Sequence, residues 1–263
     1  MIGKGPLLLP KSPLRLPLGG EIVCAFGLPP GGMRGGLLVM RGGSRHENVN
    51  CKPKINNMKV LLLNGSANMK GNTFTALSEV ARQLEKNEVD AEIVPLGNKP
   101  VRGCIACGQC KMKQLGRCVF DDDVCNRIVE KINDADALIV GSPVYYGQPN
   151  GAVMAVLQRA FFAGARVQNK PAAAVTVCRR GGASAAYQTL NLMFEMMNMP
   201  VVTSQYWNIA YGRSPGEAAL DVEGMQTMRT LANNMAWLLK KIHADGHTDY
   251  PEREPWQSMN FIR

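Results

Sequence analysis

Two common nucleotide-binding signatures are missing from this sequence. No G-x-x-x-x-G-K-[ST] occurs, which argues against a P-loop NTPase. No G-x-G-x-x-G follows the first strand, which argues against a dinucleotide Rossmann fingerprint. No stretch approaches the ~18–20 apolar residues of a membrane span, so no membrane partner is expected. A clean secretory signal is lacking too. Leu7-Leu8-Leu9 is cut off by Pro10, Pro13 and Pro17 break any amphipathic helix, and no small-residue cleavage site follows. A cytoplasmic location is therefore expected. The net charge of +9 has no basic core behind it. Residues 1–57 hold 8 Lys/Arg against 2 Asp/Glu, whereas the other 206 hold 22 against 19. Nucleic acid is not an expected partner.

The same boundary appears in composition. Gly and Pro supply 18 of the first 57 residues and 25 of the remaining 206. A Gly/Pro fraction near one third without a repeat reads as disordered or non-native extension. Met58 is then the expected natural start, 58–245 one domain, and 246–263 a tail. With 46% hydrophobic residues, the chain is large enough for one good core and too short for two large domains.

The core alternates strand and helix. Expected strands are 59–64, 91–96, 137–140, 172–177 and 201–206. Expected helices are 72–86, 121–132, 151–163, 183–197 and 221–243. Five strands separated by helices give an α/β doubly wound parallel sheet. The flavodoxin-like order 2-1-3-4-5 is the economical choice, with its ligand crevice at the carboxyl ends of the strands.

Three loops at those ends are unusual. The apolar run Val60–Leu63 stops at Asn64-Gly65-Ser66, and Gly71-Asn72-Thr73 opens the next helix. A strand feeding a small polar loop and then a helix builds an anion site. Ser66, Asn68, Asn72 and Thr73 add short hydrogen-bonding groups, a cradle that suits the phosphate of a mononucleotide such as FMN. The alternative is a plain strand–turn–helix with a polar cap. After the third strand comes Ser142-Pro143-Val144-Tyr145-Tyr146-Gly147, stiff, flat-faced and suited to an aromatic ring. After the fourth comes Cys178-Arg179-Arg180-Gly181-Gly182. Its backbone N–H groups at Gly181 and Gly182, with Arg179 or Arg180, could meet the negative charge a flavin gains on reduction.

Residues 58–241 resemble the NADPH-dependent FMN reductase family of flavodoxin-fold proteins. The resemblance rests on NGSANMKGNT, on DALIVGSPVYYGQPNGAVMAVLQR and on the Gly-rich loop after the fourth strand. It implies FMN as cofactor, with its phosphate at Ser66, Asn68, Asn72 and Thr73. It places the ring at Pro143, Val144, Tyr145, Tyr146 and Gly147. One departure is visible. Where such loops often carry Arg or Lys just after the Ser, this chain has Ala67 and Asn68, and Lys70 is the available substitute.

The loop after the second strand carries Cys104-x2-Cys107-x2-Cys110-x7-Cys118. Four thiolates at this spacing suit a 4Fe–4S cluster or zinc, and free or redox-active thiols are the alternative. The motif is similar to that of the iron–sulfur flavoproteins, a branch of the same group. Cys125 and Cys178 are expected to be packing cysteines, and His243 and His247 surface residues.

Together these readings predict an FMN-dependent oxidoreductase. NAD(P)H is the expected reductant, and a quinone, free flavin or nitro compound the small acceptor. The flavin carries the chemistry, so no catalytic acid–base pair is expected. The alternatives are an iron–sulfur electron carrier and a non-catalytic flavin-binding module. A Met-rich face (Met193, Met196, Met197 and Met199) points to core or to a homodimer or higher homo-oligomer.

Overall fold

The computed structural model of the protein describes residues 58–244, 250–252, 254–255 and 257–259. The expectations for residues 1–57, for most of the tail and for His247 lie outside them. The first strand, β1 (Lys59–Asn64), is buried almost throughout, as its unbroken apolar run requires. It pairs in parallel with β2 (Asp90–Pro95) on one side and β3 (Ala137–Tyr145) on the other. Further out lie β5 (Ala172–Cys178) and β6 (Ile209–Tyr211), so the five parallel strands run β2-β1-β3-β5-β6. That is the expected order. A two-residue strand, β4 (Gln148–Pro149), turns back antiparallel on the end of β3.

Helices cover both faces. One core layer joins α1 (Asn72–Lys86) and α6 (Val222–Ile242) to the sheet through Leu77, Leu84, Met228 and Leu239. The other joins α3 (Cys125–Asp134), α4 (Gly151–Ala163) and α5 (Ala183–Met196) through Ile128, Leu157, Leu190 and Phe194. A four-residue helix, α2 (Gln109–Met112), sits in the cysteine loop, and a 3-10 turn (Glu217–Leu220) precedes α6.

Three expectations need correction. The strand at 201–206 is absent: Val201 makes a single bridge to Ala172, and the edge strand is Ile209–Tyr211. Asn208, fully buried, donates from its side-chain amide to the Ala174 carbonyl at 3.1 Å, and its own carbonyl takes the Thr176 N–H at 3.0 Å. It closes the sheet edge where the expected strand would have paired. The helix expected from residue 121 starts at Cys125, because Asp121, Asp122 and Asp123 are held in hydrogen bonds to Asn126, Arg102 and the Cys125 N–H. The third strand runs on to Tyr145 rather than stopping at Val140, since β4 gives its end a partner.

Candidate functional site

The loop after β1 is built from its own side chains. Buried Asn64 accepts from the Ser66 N–H at 3.1 Å and donates to the Met69 carbonyl at 3.3 Å. Ser66 Oγ takes the Asn68 N–H at 3.2 Å, and Asn68 Oδ1 takes the Lys70 N–H at 3.2 Å. These short-range turns shape the loop. They lead to α1, whose N-cap is Gly71 and has no side-chain cap. The N–H groups of that first turn are left for a ligand, and the helix dipole favours an anion there. Thr73 is 2% exposed in the same turn. Asn72 is anchored from behind, its Oδ1 accepting from the Ala218 N–H at 3.0 Å.

These residues form one wall of an open groove of about 250 Å³ at the carboxyl ends of β1, β3 and β5. Ser66, Asn68, Asn72 and Thr73 line it together with Pro143, Val144, Tyr145 and Arg179. Eight of the twelve expected cofactor residues therefore share one groove. The donor set and the uncapped helix suit a phosphate, so the residues present fit the anionic end of FMN.

The other four lie beside it. Tyr146 and Gly147 form the two-residue turn between β3 and β4, both at positive φ (51° and 76°). Tyr146 is fully exposed. Gly181 and Gly182 instead line a neighbouring cavity of about 430 Å³ with Arg180, Tyr206, Trp207 and Tyr211. Gly182 has φ +84°, and a Cβ there would stand 2.9 Å from Gly147 Cα. The two loops expected to flank a ring are thus in contact with each other.

Sequence reasoning missed part of the groove. Gly212, Arg213 and Pro215, from the segment after β6, complete its wall. Arg213 offers a cation that the loop after β1 lacks beside Ser66. No pattern in the sequence singles it out. Cys178 is buried in an apolar cluster with Ala183 and Ile209, as a packing cysteine should be, and it also stands in the groove wall, where burial pushes its thiol up.

The four motif cysteines share a separate small cavity of about 20 Å³. Cys104 and Cys107 are exposed, Cys110 is buried and Cys118 is half-buried. Left-handed turns at Ala106, Gly108 and Gly116 fold the loop back on itself. Among the described residues, no group of three or more His, Cys, Asp or Glu side chains is arranged to hold a metal ion. The donor set, four cysteines lining one cavity, is of the chemistry a cluster takes.

Arg159 stands behind that cavity, on the inner face of α4 and 2% exposed. Its Nε donates to Cys118 Sγ at 3.3 Å, Nη1 to the Arg102 carbonyl at 3.1 Å and to the Asp123 carboxylate, and Nη2 to the Phe120 carbonyl at 3.0 Å. Burial works against the Asp123 carboxylate, but the Arg159 guanidinium and the Cys125 and Arg102 N–H groups outweigh it and hold its pKa below the usual range. Cys125 lies outside the quartet, fully buried, its thiol pushed up to about 12 by burial. It is a packing cysteine, as expected.

Comparison with known proteins agrees with this geometry. Residues 58–214 match the model of the NADPH-dependent FMN reductase family. An iron–sulfur flavoprotein of Methanocaldococcus jannaschii is 31% identical over 194 residues, covering 70% of this chain and 99% of that protein. One from Methanosarcina thermophila is 29% identical over 192 residues, covering 70% and 97%. Among solved structures, RosB with bound 8-demethyl-8-formylriboflavin-5'-phosphate aligns with a TM-score of 0.56 at 16% identity, covering 78% of this chain and 94% of that one. FerB, an NAD(P)H:(acceptor) oxidoreductase of Paracoccus denitrificans, aligns with a TM-score of 0.51 at 15% identity, covering 70% and 98%. At such identities, these two establish the fold alone.

Proposed function

The chain belongs to the NADPH-dependent FMN reductase family, and from that premise we propose that it is an FMN-dependent NAD(P)H oxidoreductase serving a small electron acceptor. A quinone, a free flavin or a nitro compound fits that description. The observation that carries the reading is the single groove shared by Ser66, Asn68, Asn72, Thr73, the Pro143–Tyr145 stretch and Arg179. FMN held there supplies hydride acceptance from a nicotinamide and onward delivery of one or two electrons. The Ser66 and Thr73 hydroxyls and the first-turn N–H groups of α1 would hold its phosphate. Asn72 would shape that end while bound to Ala218. Pro143, Val144 and Tyr145 would give the ring an apolar wall, with Tyr146 and Gly147 at its rim. Arg179 would supply positive charge at the ring edge, beside the N–H groups of Gly181 and Gly182.

A second element of the proposal is an iron–sulfur cluster on Cys104, Cys107, Cys110 and Cys118, favoured by their shared cavity. Such a group supplies single-electron steps. A homo-oligomer is part of the same reading, with exposed Tyr145, Tyr146 and Trp207 available to a second copy. Among the described residues no helix is long and apolar enough to cross a membrane.

The test is anaerobic mixing of the FMN-loaded protein with NADPH or NADH, followed through the flavin absorbance. Bleaching, then recovery on adding a quinone, is the expected course. A flavin that dithionite bleaches but neither nucleotide does would favour a non-catalytic flavin-binding module.

A further inference from the structure

We propose that Arg159 is a positioning residue of the cysteine site, which raises the reduction potential of a cluster held there by donating to the sulfur of Cys118. The inference rests on the cluster reading given above. Its starting point is a buried cation with an unusual set of partners. The sequence of α4, GAVMAVLQRAFFA, is otherwise almost wholly apolar on its inner side. A guanidinium placed there needs acceptors to repay its desolvation, and four of its five N–H groups find one. All four acceptors come from one segment, residues 102–123, which also carries the four cysteines. The Arg102 carbonyl lies at its start, and Phe120 and Asp123 at its end. One side chain thus pins both ends of the cysteine loop.

Cys118 is held from two sides. Asn126, 2% exposed on α3, accepts from the Cys118 N–H at 2.9 Å and donates to the Cys118 carbonyl at 3.0 Å. Arg159 holds the sulfur itself at 3.3 Å. A neutral thiol is a weak acceptor, a poor match for a buried guanidinium N–H. A thiolate is a strong one, and metal ligation removes the thiol proton outright. The Nε–H therefore meets its natural partner when Cys118 is a ligand.

The electrostatic consequence has a definite sign. Asp123 pairs with the guanidinium charge, and the local N–H dipole of Nε points at the sulfur. Hydrogen bonds to cluster sulfurs stabilise the extra electron of the reduced state. Removing this one lowers the potential.

The test uses the full chain, purified anaerobically and supplied with ferrous iron and sulfide. Iron and sulfide content, the cluster midpoint potential and the FMN midpoint potential are measured in wild type and in Arg159→Lys. The lysine keeps the charge but cannot reach sulfur, carboxylate and both carbonyls together. The expected result is retained FMN, an unchanged FMN potential and a cluster potential lowered by a tenfold or greater change in the reduced-to-oxidised ratio, about 59 mV for one electron. Pulsed EPR of the reduced wild-type cluster in protein labelled with [15N]arginine should show a guanidinium nitrogen coupling, absent from the variant. Equal cluster potentials overturn the proposal. If Arg159→Lys does not fold, the wild-type spectrum decides alone, and a cluster without arginine coupling overturns it. Wild type that takes up no iron overturns the cluster reading and this inference together. An iron-loaded wild type with an indifferent variant overturns this inference only.

Discussion

The Asn150 side-chain amide donates to the Gly65 carbonyl at 2.7 Å, joining the cap of α4 to the end of β1. The same side chain accepts from the Ala152 N–H at 3.1 Å as the N-cap of α4, and its own N–H donates to buried Ser142 Oγ at 2.9 Å. One residue so couples the loop expected to hold phosphate to the end of the ring-side strand. Asn150→Ala removes a cap and a buried backbone partner. Each is worth about 1 kcal/mol, so denaturant unfolding should show a loss of about 2 kcal/mol. FMN affinity should fall in the same variant, because the Gly65 backbone is freed.

Thr73→Val separates the phosphate from the rest of the ligand. Its hydroxyl lies in the uncapped first turn of α1 and its methyl packs near Gly141. The valine keeps the shape and removes the donor. Loss of a hydrogen bond to a charged group should weaken FMN by about 1–3 kcal/mol. Riboflavin, which lacks the phosphate, should bind as before. Fluorescence titration of both ligands reads the difference.

Gly182→Ala tests the contact between the ring-side loops. The added Cβ would meet Gly147 Cα at 2.9 Å, on a residue at φ +84° that L side chains rarely adopt. The strain costs about 1 kcal/mol or more. Thermal unfolding should shift downward. Because a backbone atom is the obstacle, the Tyr146–Gly147 turn must move, and flavin affinity should change with it.

The fold was legible where local chemistry and tertiary role agree. The run Val60–Leu63 is apolar on both faces because β1 lies in the centre of the sheet, and the polar residues after it mark the groove. Val201 and Val202 read as strand from their branching, yet the edge pairing belongs to Ile209–Tyr211, since the fully buried Asn208 side chain takes the place of a backbone partner. The three aspartates at 121–123 read as a helix start, but their acceptors are claimed by arginines and by Asn126. The roles of Arg159 and Arg213 were not legible. Arg159 closes the DALIVGSPVYYGQPNGAVMAVLQR motif and Arg213 lies outside any motif, and in both cases the partners are segments tens of residues away in sequence.

Glu92 gives the fold an acid sensitivity. Hydrogen bonds from Lys131 and then Lys59 hold its carboxyl below the usual glutamate range. A carboxylate depressed in the folded state stabilises the fold above its unfolded pKa of about 4.3. That contribution is lost as pH falls through the folded value. Glu92→Gln should therefore flatten the loss of stability on acidification below about pH 4.3, while costing a little at neutral pH. Denaturant midpoints at neutral and acid pH check both signs. Half-exposed ion pairs contribute modestly, so the change in slope is the readout.

Calorimetric titration of flavin-free protein with FMN and with riboflavin tests the phosphate cradle most directly. Two charge-assisted hydrogen bonds at about 1.5 kcal/mol each correspond to a preference for FMN on the order of 100-fold. FMN binding that much tighter than riboflavin, with the preference reduced in Thr73→Val, is the predicted result. Equal affinities for the two ligands would contradict the assignment of the β1–α1 loop to a phosphate, and with it the reading of the groove as an FMN site.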